Sequence, residues 1–147
     1  MKGLIDITKK PEVQRSAVAT GLIRLRNSTI EAIRMEQVKK GDVLTIARIA
    51  AVLAVKDTPR LITMCHPISI THIDVDFELE INTIKTTVAV SSIGKTGVEM
   101  EALTGVTASL LNIWDMVKYL EKDETGNYPD TRIEEIRVLE KKKGNAA

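Results

Sequence analysis

A strict alternation of apolar and acidic residues occupies positions 73–80, with the sequence IDVDFELE. A period of two is typical of a strand with one buried and one solvated face. The alternation continues at residues 84–90 after a turn near Asn82, which predicts a hairpin. Just before the first of these strands the apolar phase slips by one position, which predicts a β-bulge near Thr71 and His72.

Helical spacing marks two segments in the first half of the chain. Ser28 and Glu31 form a capping box, which predicts a helix that begins there and ends at Gly41. Asp42 is placed to cap a second helix. The segment DTPR, residues 57–60, should break that helix because proline disfavours helical backbone in the residue before it.

The remaining predicted elements are a first strand at residues 17–26, a long helix at 98–122 and a last strand at 133–140. The whole chain then follows the order strand, helix, helix, strand, strand, helix, strand. This order is the split β-α-β pattern of an α+β ferredoxin-like sandwich. Such a fold has a four-stranded antiparallel sheet with helices packed on one face.

The helix predicted at residues 98–122 has two contrasting faces. One side gathers large apolar residues that should pack on the sheet, namely Leu103, Val106, Leu110, Ile113, Trp114, Val117 and Leu120. The opposite side carries Thr104, Gly105, Ala108, Asn112 and Asp115. A solvated helix face normally carries charges, yet no residue from 102 to 114 is charged. We therefore expect a neighbouring subunit to cover this side.

Asp115 and Lys118 lie one helical turn apart at the end of that side. They form either an ordinary exposed ion pair, worth a few tenths of a kcal/mol, or part of a site beside the covered face. Burying a charge pair beside an interface is costly, so such a pair is expected to have a function or a further charged partner. The residues alone leave both interpretations open.

Composition narrows the class of protein. The 147 residues suffice for one domain, which we expect at 4–141 with loose termini at 1–3 and 142–147. A net charge of +1 and 3% aromatic residues argue against a nucleic-acid-binding protein. No apolar run has the length of a transmembrane helix. The single cysteine fits a reducing compartment, so we expect a cytoplasmic protein without a membrane partner.

The segment MCHPISITH, residues 64–72, holds the only cysteine and both histidines of the chain. Structural zinc sites use four ligands at repeated close spacings, and the chain lacks such a set, so we expect no metal here. His66 precedes Pro67 and should lie in a constrained turn, where loops often carry function. His72 falls at the predicted bulge and is expected to be structural.

Two motifs near residue 98 have alternative interpretations. The segment GKTG, residues 94–97, lacks the glycine that a phosphate-binding loop needs five positions earlier, where Ala89 stands. The backbone N–H groups at the following helix start, with Lys95, could still meet an anion. Glu99 and Glu101 either interact with the helix dipole or point into a cleft and bind N–H groups of a ligand.

Several stretches together resemble the molybdenum cofactor biosynthesis protein C family. They are LIDIT, KGDVLTIARIAAVLAVKDT, LITMCHPISITHIDVDF, GKTGVEMEALTGVTASLLNIWDMVK and IRVLEK, and they run in order over residues 4–141. The resemblance implies conversion of a cyclised dihydro-GTP into cyclic pyranopterin monophosphate with release of pyrophosphate. It also implies a ferredoxin-like fold, no cofactor and no metal. The expected assembly is a homohexamer, a trimer of dimers with sites at the dimer interface, and the precursor comes from a radical S-adenosylmethionine enzyme.

The resemblance also implies roles for individual residues of this chain. The catalytic group would be Asp115 and Lys118 of DMVK with Lys40 of KGD. The substrate-binding residues would be Met64, Cys65, His66, Glu99, Met100, Glu101, Arg15, Arg26 and Lys141. Phosphate would be held by Lys40, Arg15 and Lys141, because a triphosphate needs Lys and Arg clusters. Proton transfer would use Lys118 with a lowered pKa, oriented by Asp115, or His66.

The tail departs from the family pattern. Members often carry a glycine-rich loop similar to KSGGKSG where this chain has KKKGNAA. The resemblance therefore leaves open which tail lysine contacts phosphate.

Two other classes of function remain as alternatives from the residues. A small-molecule-binding regulatory module could share the fold and the covered helix, but it would release no pyrophosphate and form no pterin. A zinc hydrolase built on His66 and His72 would contain stoichiometric metal.

Overall fold

The computed structural model of the protein describes residues 3–146, and its elements follow the predicted order. The strands are β1 (Val13–Arg24), β2 (Ile70–Leu79), β3 (Thr83–Gly94) and β4 (Arg132–Ala146). The helices are α1 (Asn27–Arg34), α2 (Val43–Leu61) and α3 (Glu99–Glu121). The strands form one antiparallel sheet in the order β2-β3-β1-β4. With α3 packed on β1 and β3, this confirms the predicted α+β ferredoxin-like sandwich.

The hairpin of β2 and β3 matches the sequence pattern. Val75 is buried on the helix side, whereas Asp74 and Asp76 face solvent on the other side. The pairing register shifts between Ile70 and His72, which confirms the predicted bulge. The alternation of apolar and acidic residues therefore did identify both the strand and its buried face.

The first helix differs from its prediction at both ends. α1 starts at Asn27 without a side-chain cap and ends at Arg34, not at Gly41. Glu36 takes a left-handed backbone with φ of 55°, which turns the chain away from a helical path. The predicted capping box is absent because the Glu121 carboxylate of α3 accepts hydrogen bonds from Arg26 N and Thr29 Oγ1 instead.

The second helix begins as predicted and ends later. Asp42 caps α2 by accepting a hydrogen bond from Thr45 N at 3.1 Å. The helix continues through Pro59 to Leu61, so the prediction that DTPR breaks it was wrong. Pro59 lies in the last turn, where its missing N–H removes only one of the final hydrogen bonds.

The last strand is longer than predicted. β4 pairs with β1 along its length, and Lys142 lies opposite Ser16 and Ala146 opposite Val13. Residues 142–146 are thus part of the sheet and not a loose tail. Met1, Lys2 and Ala147, which were also assigned to loose termini, lie outside the described residues.

The apolar side of α3 packs on the sheet as predicted. Val106, Leu110, Ile113 and Val117 are fully buried, while Leu103, Trp114 and Leu120 are half-buried at the edges. Gly105 was wrongly placed on the outer side. A Cβ there would lie 2.9 Å from Val55 Cγ2, so Gly105 permits the close approach of α2.

Gly21 in β1 lies directly beneath α3. A Cβ at this position would lie 2.8 Å from Val106 Cγ1 and 2.9 Å from Leu110 Cδ1. We expect Gly21→Ala to lower the free energy of unfolding by about 1–3 kcal/mol, because the core is overpacked. Urea denaturation would measure this loss. Gly3→Ala is the control, since a Cβ at Gly3 meets nothing within 4 Å. Equal stability of the two variants would contradict the close packing.

Across residues 3–146, none of the helices combines the length and hydropathy needed to cross a membrane.

Candidate active site

Lys40, Asp115 and Lys118 form one cluster, called here the Asp115 cluster. Lys40 Nζ donates to Asp115 Oδ2 at 3.0 Å and to the Asp115 backbone carbonyl at 2.8 Å. Lys118 Nζ lies 3.1 Å from Asp115 Oδ1. One carboxylate thus holds two ammonium groups from different elements, one of them on α3 and the other on the segment between α1 and α2.

The charges of the Asp115 cluster stabilise one another. The hydrogen bonds from Lys40 and then Lys118 lower the pKa of Asp115. The hydrogen bond with Asp115 raises the pKa of Lys118. The prediction of a Lys118 with a lowered pKa was therefore wrong, because the carboxylate favours the ammonium form. Lys118 is a cation and proton donor at neutral pH.

The segment that carries Lys40 is fixed to α3 next to the Asp115 cluster. Lys39 N donates to the Tyr119 hydroxyl at 2.9 Å, and Lys39 Nζ lies 5.3 Å from the centre of the Tyr119 ring. These contacts set the position of Lys40. Tyr119 was not predicted as part of the site, because its hydrogen bond with Lys39 joins residues 80 positions apart along the chain.

A second group of predicted residues lines a cavity of about 470 Å³ at the other end of α3. We call it the His66 cavity. Its walls include the predicted residues Met64, Cys65, His66, Glu99 and Met100, together with Ile5, Asp6, Ile7, Lys10, Ile62, Thr96 and Gly97. The N-terminal residues among these were not predicted as site residues. The only sequence signal for them was the stretch LIDIT in the family resemblance.

Backbone carbonyls of the N-terminal segment orient two basic side chains near this cavity. His66 Nε2 lies 2.7 Å from Ile5 O. Because a carbonyl only accepts, Nε2 carries the proton, and in the neutral ring Nδ1 is the acceptor. Lys95 Nζ donates to Thr8 O at 3.0 Å.

Glu101 lies behind the cavity wall and is 1% exposed. Its Oε2 accepts a hydrogen bond from Cys65 Sγ at 3.7 Å, while Oε1 has no partner among the described residues. Burial raises the pKa of Glu101. Burial, followed by the Glu101 charge, also raises the pKa of the Cys65 thiol. The thiol is therefore a weak donor to Glu101 and not a thiolate nucleophile.

The raised pKa of Glu101 predicts a pH-dependent stability. The stability that Glu101 contributes in its neutral form is fully present below pH 4.5, the ordinary pKa of its carboxyl. This stability is lost as the pH rises through the higher pKa of the folded state. Relative to wild type, Glu101→Gln should therefore gain stability from acidic to neutral pH, measured as a difference in Tm. Asp115→Asn should show the opposite, smaller trend, because the pKa of Asp115 is lowered. A Tm difference independent of pH for Glu101→Gln would contradict the effect of burial.

The predicted basic residues Lys141, Arg15 and Arg26 lie in different parts of the structure. Lys141 Nζ lies 3.6 Å from Glu99 Oε2, at the His66 cavity. Arg15 is buried at the same end of the sheet, and its Nε donates to Gly94 O at 3.3 Å. Among the described residues Arg26 makes no hydrogen bond or ion pair with either group, and its Nη1 donates to Leu120 O of α3 at 3.4 Å. Its guanidinium pairs with Asp130 at 2.9 Å, and its backbone N–H donates to Glu121.

One chain does not bring the two groups together. Glu101 and Asp115 are 14 positions apart on α3, which is about 21 Å at 1.5 Å per residue. Lys118 and Met100 lie on the same side of this helix, as does the exposed Leu111 between them. The Asp115 cluster and the His66 cavity thus occupy opposite ends of one helix surface.

Within residues 3–146, no three His, Cys, Asp or Glu side chains are grouped so that they could hold a metal ion.

Comparison with known proteins supplies the family. The model of the MoaC family matches residues 4–144. The probable cyclic pyranopterin monophosphate synthase of Archaeoglobus fulgidus is 61% identical over 141 residues, which cover 96% of this chain and 90% of the relative. The enzyme of the same name from Aeropyrum pernix is 55% identical over 97% of both chains. That from Thermococcus kodakarensis is 55% identical over 96% of this chain and 90% of its own. These matches extend over nearly the whole chain, so the chain belongs to the MoaC family.

Proposed function

We propose that this protein converts a cyclised dihydro-GTP into cyclic pyranopterin monophosphate and pyrophosphate, an early step of molybdenum cofactor biosynthesis. The single observation that carries the proposal is the Asp115 cluster, in which one carboxylate orients two ammonium groups. It occurs in a chain that is 61% identical to a probable synthase of this reaction. The reaction would be that of a lyase.

The Asp115 cluster suits the phosphoryl part of this reaction. A substrate hydroxyl gives up its proton to solvent and attacks the phosphorus nearest the sugar, and the bond from that phosphorus to the departing pyrophosphate breaks. Lys118, whose pKa is raised by Asp115, supplies positive charge and a proton to the leaving oxygens. Lys40 adds a second cation on the same carboxylate, while Asp115 positions both.

The His66 cavity suits the purine-derived part of the substrate. Rebuilding an opened purine into a pterin requires several proton transfers. His66 offers Nδ1 as an acceptor, since Nε2 donates to Ile5. Glu99 on the cavity wall offers a carboxylate to the N–H groups of a guanine-like ring. Glu101, favoured in its neutral form by burial, lies behind that wall and holds Cys65 in place. Met64, Cys65, Met100 and Glu99 form the walls around the ring.

The active site would be composite, formed by two subunits. The surface of α3 and α2 between the two groups exposes large apolar residues, among them Ile49 at 52%, Leu53 at 56% and Leu111 at 55%. Exposed apolar patches of this kind mark interfaces. An isologous contact with the α3 helices antiparallel, and the two-fold axis near residue 108, would bring the Asp115 cluster of one subunit against the His66 cavity of the other.

The remaining parts of the proposal follow the family. We expect a homohexamer, a trimer of such dimers, in the cytoplasm, with the precursor supplied by a radical S-adenosylmethionine enzyme. The reaction would proceed without metal or organic cofactor. Sedimentation velocity would test the assembly, and monomers at working concentration would contradict the composite site.

The function is tested by incubating the purified protein with the cyclised dihydro-GTP precursor. We expect stoichiometric pyrophosphate and a pterin that becomes fluorescent after oxidation. Binding of the precursor without either product would contradict the proposal and favour a regulatory binding module. Activity that tracks the content of bound metal would instead favour a metal-dependent enzyme.

A further inference from the structure

Lys143, Arg15 and Ser92 lie side by side across three strands at one end of the sheet. The register pairs Arg15 of β1 with Lys143 of β4 on one side and with Ser92 of β3 on the other. Directly paired residues of antiparallel strands point to the same face. Because Ala17 and Val90, two positions along, are buried in the core, this row faces the helix side. We call it the Arg15 row.

Two members of the row carry buried donors without acceptors. Arg15 is 9% exposed, and its Nη2 has no hydrogen-bond partner within residues 3–146. Ser92 is 0% exposed, and its Oγ is also without a partner in that part of the chain. Leaving a buried charged donor unsatisfied costs more than a neutral one. The row is thus built to receive an acceptor.

The row adjoins the His66 cavity. Gly94, whose carbonyl accepts from Arg15 Nε, lines a smaller cavity of about 180 Å³ with His66 and Lys95. A Cβ on Gly94 would lie 3.9 Å from Ser92 Oγ. The Arg15 guanidinium and the Ser92 hydroxyl therefore both lie near Gly94, next to the segment that carries His66.

The tail lysines alternate between the two faces of the sheet. Lys141 and Lys143 share the helix side, where Lys141 meets Glu99 at 3.6 Å. Lys142 points to the opposite side and pairs with Glu140 at 3.3 Å. Lys143 has no carboxylate partner among the described residues. Its charge lies beside Arg15 and is not neutralised there.

We propose that the Arg15 row binds the phosphates that leave as pyrophosphate, with Lys143 and Ser92 as ligands beside Arg15. A guanidinium, an ammonium and a hydroxyl that pair with no carboxylate among the described residues match a multiply charged phosphate oxyanion. The identity of the ligand rests on the proposed function. The assignment identifies Lys143, and not Lys142, as the tail lysine that contacts phosphate.

Tripolyphosphate is the probe, because it represents the charged chain without the purine. Isothermal titration of the full-length protein should show binding that Lys143→Ala weakens about tenfold and Ser92→Ala weakens about threefold. Lys142→Ala, the neighbour on the opposite face, should bind within about twofold of wild type. Circular dichroism of each variant checks that the sheet is intact.

Equal weakening by Lys142→Ala and Lys143→Ala, or no binding by the wild type, would overturn the proposal. The titration uses no turnover, so it separates this inference from the proposed function. If tripolyphosphate binding depends on Lys143 but the protein does not convert cyclised dihydro-GTP, the phosphate-binding role of the Arg15 row is supported and the proposed function is contradicted. If Lys143→Ala turns over the precursor with an unchanged KM, the phosphate-binding role of the Arg15 row is contradicted and the proposed function is not.

Discussion

Lys118→Ala is expected to lower kcat for cyclised dihydro-GTP by about three orders of magnitude, because it removes both a proton donor and a fixed charge at the leaving group. Asp115 holds Lys118 Nζ at 3.1 Å and raises its pKa. No other ammonium of the chain is placed on the same carboxylate oxygen among the described residues. Single-turnover release of pyrophosphate would measure the loss.

The matched control is Lys85→Ala. Lys85 pairs with Glu78 at 3.5 Å on the open face of the sheet, and its side chain is 36% exposed against 42% for Lys118. Removing either exposed ion pair should leave the stability close to that of the wild type, because solvent screens both pairs. Wild-type turnover by Lys118→Ala, or an equal loss in Lys85→Ala, would contradict the proposed role.

Asp115→Asn tests whether the carboxylate acts through Lys118. The change retains the size of the side chain but removes the charge that raises the pKa of Lys118. The alkaline limb of the pH–rate profile should therefore move to lower pH, in addition to a fall in kcat. A merely structural role for Asp115 would lower activity without moving that limb.

The second large effect is recovery of activity when two inactive variants are mixed. Lys118→Ala damages the Asp115 cluster, and Glu101→Gln damages the pocket at the other end of α3, about 21 Å away in the same chain. If each site uses one group from each subunit, a mixed dimer has one intact site and one doubly damaged site. We expect neither variant alone to be active and the exchanged mixture to be clearly active.

The expected recovery follows from symmetry. Random exchange makes about half of the dimers mixed, and one of the two sites in each mixed dimer is intact, so about a quarter of wild-type activity should return. Coexpression with two different affinity tags would isolate the mixed dimers for measurement. Mixing Lys118→Ala with Asp115→Asn is the control, because both changes damage the same cluster. Recovery in that control, or none in the first mixture, would contradict a composite site.

Local patterns predicted much of the fold. The alternation from residue 73 to 80, the bulge near His72 and the Asp42 cap were confirmed because each depends on neighbours in sequence. The capping box failed because a carboxylate from α3 satisfies the start of α1. Gly105 was misplaced because its contact is with Val55 of another helix.

The family resemblance predicted Asp115, Lys118, Lys40 and the residues around His66 as site residues, and the fold groups these into two places. The resemblance did not predict those properties of the residues that depend on interatomic distances and on the surrounding side chains in the folded chain. The raised pKa of Lys118 follows from its position 3.1 Å from a carboxylate, and a spacing of three residues does not say which neighbours surround the pair. The participation of Ile5, Asp6, Ile7 and Lys10 in the cavity wall depends on a loop packing against His66.

By itself, the sequence determined the order of the elements, the buried side of the two hairpin strands and the family, because periodicity and motifs are local properties of the chain. The tertiary structure decided three further matters. It separated the site residues into two ends of α3, paired Lys143 with Arg15 across strands far apart in sequence, and buried Glu101 without a partner for Oε1 within the described chain. Each of these depends on register, burial or distance, which arise only when the sheet and helices pack together.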